Sequence, residues 1–158
     1  MNEIKKITSF TVDHTTLREG MYISRIDGDV TTFDLRTRVP NGGDYMDDAT
    51  MHTMEHLFAT YIRNGEIGDA VIYFGPMGCQ TGFYLLTRGL APETVRQATI
   101  AALQRIVAHT GEVFGNSAVE CGNYKTLNLK AGQNEAARYL QILLERGECG
   151  FSYEGDAI

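Results

Sequence analysis

His52, Thr53, Met54, Glu55 and His56 place two imidazoles four positions apart with a carboxylate beside the second. On a helix that spacing puts both rings on one face, within reach of a single cation. The order His-x-x-Glu-His is also that of the inverted zinc-peptidase motif, so the string favours a metal site without naming a reaction. The plain alternative is an amphipathic helix with histidines at the edge of its buried stripe. Against it, His, Glu and His rarely share a core-facing surface unless something pairs with their polar atoms.

A catalytic ion normally takes three protein ligands and keeps one position open. Cys121, between Glu120 and Gly122 in a polar, helix-poor stretch, is the best third candidate. Cys79 follows Gly75, Pro76, Met77 and Gly78, a turn with no bulky side chain to block approach, which favours a reactive thiol over a packed one. A nearby cation would favour its thiolate and make it a base at neutral pH. Cys149, after Gly147, reads as incidental, and three widely spaced cysteines are no disulfide framework. Asp13 is placed to orient His14, although such pairs are usually superficial. Arg36 ends a strand, where it could bind a carboxylate or a hydroxyl-rich ligand or be merely solvated. His109 closes a helix and complements its dipole.

The elements that must carry these residues are readable from periodicity. Residues 21–26 and 30–36 are β-prone runs joined by Asp27, Gly28 and Asp29, the composition of a tight hairpin. A loop over 40–44 leads to a helix over 48–64, capped by Asp47 or Asp48, with Met51, Met54, Leu57, Phe58, Tyr61 and Ile62 as its apolar stripe. Strands over 70–74 and 81–87 flank the turn at 75–78. A helix opens at Pro92 with the stripe Val95, Ile100, Leu103, Ile106 and Val107 and ends before Gly111. A last helix covers 133–146, with Ala137, Leu140, Ile142, Leu143 and Leu144 inward. Strands in adjacent pairs predict an α+β fold, one antiparallel sheet packed against helices, over a doubly wound one.

A chain of 158 residues, 43% apolar and 22% charged, suits a single domain over 1–158. A net charge of −6 with no basic stripe argues against nucleic acid. No window reaches the roughly 20 apolar residues of a membrane span, and residues 1–10 lack the apolar core of a signal peptide, so a cytoplasmic location is expected.

Taken together the motifs resemble the S-ribosylhomocysteine lyase family, LuxS, over about 9–147. The resemblance rests on Ser9, Phe10, Asp13 and His14; Phe33 to Arg36; Pro40 and Asn41; His52 to His56; Pro76 to Gly82; and Cys121 with Gly122. It implies the LuxS/peptidase-like metallohydrolase fold and one divalent metal per subunit on His52, His56 and Cys121, iron(II) with zinc or cobalt as substitutes. It implies Glu55 and Cys79 as the acid and base pair. Ser9, Phe10, His14, Arg36, Arg63 and Gly122 match substrate-site positions. It also implies a homodimer with its active sites at the interface, so that the N-terminal residues serve the partner's site. The implied reaction cleaves the thioether of S-ribosylhomocysteine by two carbonyl migrations and a β-elimination. It gives homocysteine and 4,5-dihydroxy-2,3-pentanedione, the autoinducer-2 precursor of quorum sensing, within the methionine cycle. One departure stands out: the family commonly reads Asp-x-Ser before Pro-Met-Gly-Cys, and here Tyr73, Phe74 and Gly75 stand there.

Two other readings compete. In an inverted-motif peptidase, Glu55 would activate water and a residue such as Glu120 would complete the ligand set, which leaves both cysteines idle. A non-catalytic metal or ligand-binding scaffold would have no need of Glu55 and Cys79.

Overall fold

Hairpin chemistry sets the sheet. The computed structural model describes residues 3–147 and 151–153, so Cys149 lies outside the described residues. β1 (Gly20–Asp27) and β2 (Val30–Arg36) pair antiparallel through a turn in which Gly28 takes φ 60°, as the Asp-Gly-Asp run predicts. β3 (Val71–Pro76) and β4 (Gly82–Arg88) form the second hairpin, and β4 joins β2, giving the antiparallel order β1-β2-β4-β3. Gly75 and Pro76 belong to β3, so the turn bearing Cys79 is tighter than the sequence suggests: Gln80 N–H donates to Met77 O, and Met77 N–H to Gly82 O. Strand alternation puts Phe33 and Leu35 of β2 in the core, and Asp34 and Arg36 on the other side.

α1 (Asp48–Arg63) and α3 (Leu129–Arg146) pack against the sheet, and α2 (Pro92–Val107) packs against both of those helices. α1 buries Met54, Leu57, Phe58 and Ile62, and Phe58 meets Phe74 of β3 with ring centroids 4.4 Å apart. Its start is fixed by Asp47, whose carboxylate accepts the Thr50 N–H at 2.8 Å. This α+β single domain, three helices against a four-stranded antiparallel sheet, is the expected architecture. Among the described residues no helix is long and apolar enough to cross a membrane.

Two details differ from expectation. α3 begins at Leu129, not 133, because Asn128 caps it by accepting the Ala131 N–H at 3.2 Å. Gly132 lies in its first turns, where glycine ordinarily weakens a helix; it is required because a side chain there would collide with Thr53 and Leu57 of α1. The buried face of α3 is Gly132, Glu135, Ala136, Tyr139 and Leu143, which turns Ala137 and Leu144 to solvent, and Val107 of α2 is exposed as well. Glu135 is inward because Arg38 pairs with it at 2.6 Å, tying α3 to the segment between β2 and α1. Removing one partner of such a buried pair costs about 3–5 kcal/mol.

Candidate metal centre

α1 presents His52 and His56 from successive turns, half-buried, with ring centroids 4.6 Å apart and planes at 89°. Each ring is held by its Nδ1. His56 Nδ1 donates to the Phe114 carbonyl at 2.7 Å, which leaves the Nε2 lone pair free. The chain bends past that ring at Gly115, where φ is 72° and an added Cβ would press on the imidazole. His52 Nδ1 meets Thr126 Oγ1 at 2.6 Å. The Thr126 hydroxyl gives its own proton to Asn123 O at 3.1 Å, so it accepts from Nδ1–H and again Nε2 is the open atom. Burial lowers the His52 pKa, His56 lowers it further, and Glu55 acts against them; the outcome favours the neutral ring that binds metals.

The third member is Cys121. Its Sγ lies 3.3 Å from His52 Nε2 and accepts the Asn123 N–H at 3.4 Å. Ligand atoms of His52, His56 and Cys121 all fall within 4.8 Å of one another. Donors held at about 2.0–2.3 Å around a tetrahedral ion sit roughly 3.3–3.8 Å apart, so the His52–Cys121 pair has a metal-site separation. Two imidazole nitrogens and a thiolate form a borderline-soft set that suits iron, cobalt or zinc. Glu120, the peptidase candidate, is exposed and accepts the Ser117 hydroxyl at 2.6 Å; it is not in the cluster.

Glu55 is half-buried on the same helix. Cys79 is exposed at the tip between β3 and β4, where Gln80 takes φ 66°, a strained backbone for a residue with a side chain. The Cys79 Sγ lies 3.0 Å from Thr81 Oγ1 and 3.8 Å from Arg36 Nη1. Arg36 is not a solvated strand end: it is 3% exposed, donates to Thr81 Oγ1 at 2.8 Å and pairs with Asp34 at 2.6 Å. Burial works against its charge, but Asp34, with Cys79 and Tyr153 beyond it, raises its pKa above the ordinary value.

Apart from Gly122, the remaining predicted residues lie outside this cluster. Ser9 and Phe10 belong to a short 3-10 turn, Thr8–Phe10, packed on β1, with Phe10 68% exposed. His14 bonds Val12 O through Nδ1, while Asp13 accepts from Thr15 and does not orient the ring. Arg63 donates to the carbonyls of Val71 and Ile72, and Gly122 is exposed beside Cys121. His109 is no dipole partner: Tyr61 holds its Nδ1 at 2.7 Å and Glu112 O its Nε2 at 2.8 Å.

Residues 7–148 match the family model described as S-Ribosylhomocysteinase (LuxS). The chain belongs to this family. An S-ribosylhomocysteine lyase of Desulfotalea psychrophila is 44% identical, covering 95% of this chain and 99% of the relative. One from Borreliella afzelii is 44% identical over 89% and 93% of the two chains, and one from Clostridium acetobutylicum 41% over 95% and 99%. Against the pattern by which this chain resembles the family, residues 73–75 are the departure, and they form a unit. The Tyr73 hydroxyl lies in the space that a side chain at Gly75 would take.

The sequence names Asp34 and Thr81 only as pieces of the resemblance, with no role, and gives no sign of Thr126 or the Phe114 carbonyl. A backbone carbonyl leaves no mark in residue type. Asp34 two positions before Arg36 is a same-face pair on a strand, and that spacing is the one available signal.

Proposed function

We propose that this chain is a metal-dependent S-ribosylhomocysteine lyase. It cleaves the thioether to release homocysteine and 4,5-dihydroxy-2,3-pentanedione, the precursor for autoinducer-2 synthesis. The observation that carries the reading is the convergence of His52, His56 and Cys121 in a chain of this family. Those three residues would hold one divalent ion, with iron(II) the proposed native metal and zinc or cobalt as substitutes. The ion supplies Lewis-acid polarisation of the sugar's carbonyl and hydroxyl oxygens.

The protein's own groups handle the protons. Cys79, as thiolate, and Glu55 remove and return protons so that the carbonyl moves from C1 to C2 and then to C3 of the ribosyl chain. Loss of the C4 proton then expels homocysteine thiolate from C5, and the resulting enol takes a proton at C5 to give the dione. Arg36 Nη1 faces the Cys79 sulfur at 3.8 Å, so a cation stands beside the proposed base. Ser9, Phe10, His14, Arg36, Arg63 and Gly122 are the proposed substrate contacts.

A homodimer with interfacial sites accounts for the N-terminal segment. Ile4, Ile7 and Phe10 are 97%, 58% and 68% exposed, and no hydrogen bond among the described residues joins that segment to the metal cluster. Serving the partner's site would use both facts. The cytoplasm is the proposed location.

The test is homocysteine release, read as new free thiol, when the iron(II)- or cobalt(II)-loaded protein meets S-ribosylhomocysteine. Metal-dependent release carries the reading. A fully loaded protein without release would overturn it in favour of a scaffold, or of a peptidase if peptide bonds are cut instead.

A further inference from the structure

The Cys79 thiol stands at the end of a chain of polar contacts that begins at the far end of the sequence. The segment 151–153 returns along β1, where Ile23 N–H donates to Phe151 O at 2.7 Å, and Phe151 packs edge-on against Phe33 with centroids 6.4 Å apart. Tyr153 then stacks on Tyr22 at 5.0 Å, and its hydroxyl donates to Asp34 Oδ2 at 2.8 Å. The same carboxylate oxygen takes the Arg36 Nη2 proton at 2.6 Å, and Arg36 Nη1 faces Cys79 Sγ and Thr81 Oγ1. Asp34 is 1% exposed, and its other oxygen, Oδ1, has no hydrogen-bond partner among the described residues. Two donors therefore orient this buried carboxylate, and Tyr153 is one of them.

We propose that Tyr153 is a positioning residue for the Cys79 thiol, acting through Asp34 and Arg36. The Tyr153 hydroxyl turns the positive end of its dipole toward Asp34. That weakens the negative potential the carboxylate casts toward Cys79 and leaves more of the Arg36 charge for the thiolate. Among the described residues, the titratable and charged groups around this chain are Asp34 and Arg36 on β2, Tyr22 on β1, Tyr84 on β4, Tyr139 and Arg146 on α3, and Tyr153 itself. Burial first and Asp34 second raise the pKa of Tyr84, Tyr139 and Tyr153, so all three stay neutral donors where a thiol titrates. The catalytic consequence rests on the role given to Cys79 above; the ionisation itself does not.

The experiment measures the rate of Cys79 alkylation by iodoacetamide against pH in the metal-loaded protein, with peptide mapping to separate Cys79 from Cys121 and Cys149. Tyr153→Phe keeps the ring on Tyr22 and removes the hydroxyl, and the Cys79 ionisation should move up by about half a pH unit. Asp34→Asn removes the opposing charge and should move it down. In the Asp34→Asn background, Tyr153→Phe should have little further effect. An unchanged Cys79 profile in Tyr153→Phe, or a shift that persists without Asp34, would overturn the proposal. If alkylation shifts while the pH profile of kcat/KM does not follow, Tyr153 still tunes the thiol and Cys79 leaves the mechanism. If Asp34→Asn fails to fold, the Tyr153→Phe profile alone decides.

Discussion

Cys121 Sγ lies 3.3 Å from His52 Nε2 across 69 positions of sequence. Among the described residues no other bond explains the approach: His52 spends Nδ1 on Thr126, and the sulfur otherwise accepts the Asn123 N–H. A lone pair and a sulfur at this distance call for a proton or a cation between them.

Replacing a member of this trio should remove the metal and leave the fold. His52→Ala and Cys121→Ala are each expected to drop metal content from about one ion per chain to nearly none after dialysis, because two ligands seldom retain a catalytic ion. Elemental analysis beside a far-UV circular dichroism spectrum reads this directly. Full metal in either variant would mean that the ligands are elsewhere.

Thr126→Val tests the outer partner of the site. The substitution keeps the shape and deletes the acceptor that fixes the His52 tautomer, and losses of this kind weaken metal affinity by roughly 10- to 100-fold. Competition with a chromophoric chelator measures it. An unchanged affinity would show that the ring needs no such anchor.

The metal helix is legible in the sequence because its two ligands are local: His52 and His56 lie one turn apart on a stripe whose period is clear. Thr126 is not, since its role exists only once a short turn at Tyr124–Thr126 is folded back on α1. Both hairpins can be read from their turns. The start of α3 cannot, because Gly132 argues against helix locally and is there for a contact with Thr53 that no local rule contains. Sequence leaves Arg36 open between a ligand-binding and a solvated strand end, and its burial beside Asp34, on the same side of β2, is visible only in the fold. Spacing does not join Glu55 to Cys79; only the family resemblance implies them as an acid and base pair.

Cys79→Ala separates chemistry from metal binding. The thiol is exposed and outside the ligand cluster, so its removal should leave metal content unchanged while turnover of S-ribosylhomocysteine falls below detection. Steady-state thiol release together with elemental analysis distinguishes the outcomes. Normal turnover would remove Cys79 from the mechanism, and lost metal would make it a ligand.

The helix that carries the histidines depends on one cap, and that cap is pH-sensitive. Thr50 donates its hydroxyl and its N–H to Asp47, and these bonds hold the carboxyl below its ordinary pKa. A carboxylate depressed by folding contributes its stability above the unfolded value of about 3.9, and that contribution fades as pH falls through the lower folded value. Asp47→Ala should therefore cost about 1 kcal/mol at neutral pH, read by urea denaturation of the metal-free protein. As pH falls below the ordinary carboxylate value of about 3.9 and through the lower folded one, the gap between wild type and variant should narrow, because the wild-type cap is then being protonated too. A difference that stays constant from neutral pH into that acid range would mean that the charge on Asp47 contributes nothing, and that a neutral acceptor would hold the start of α1 as well.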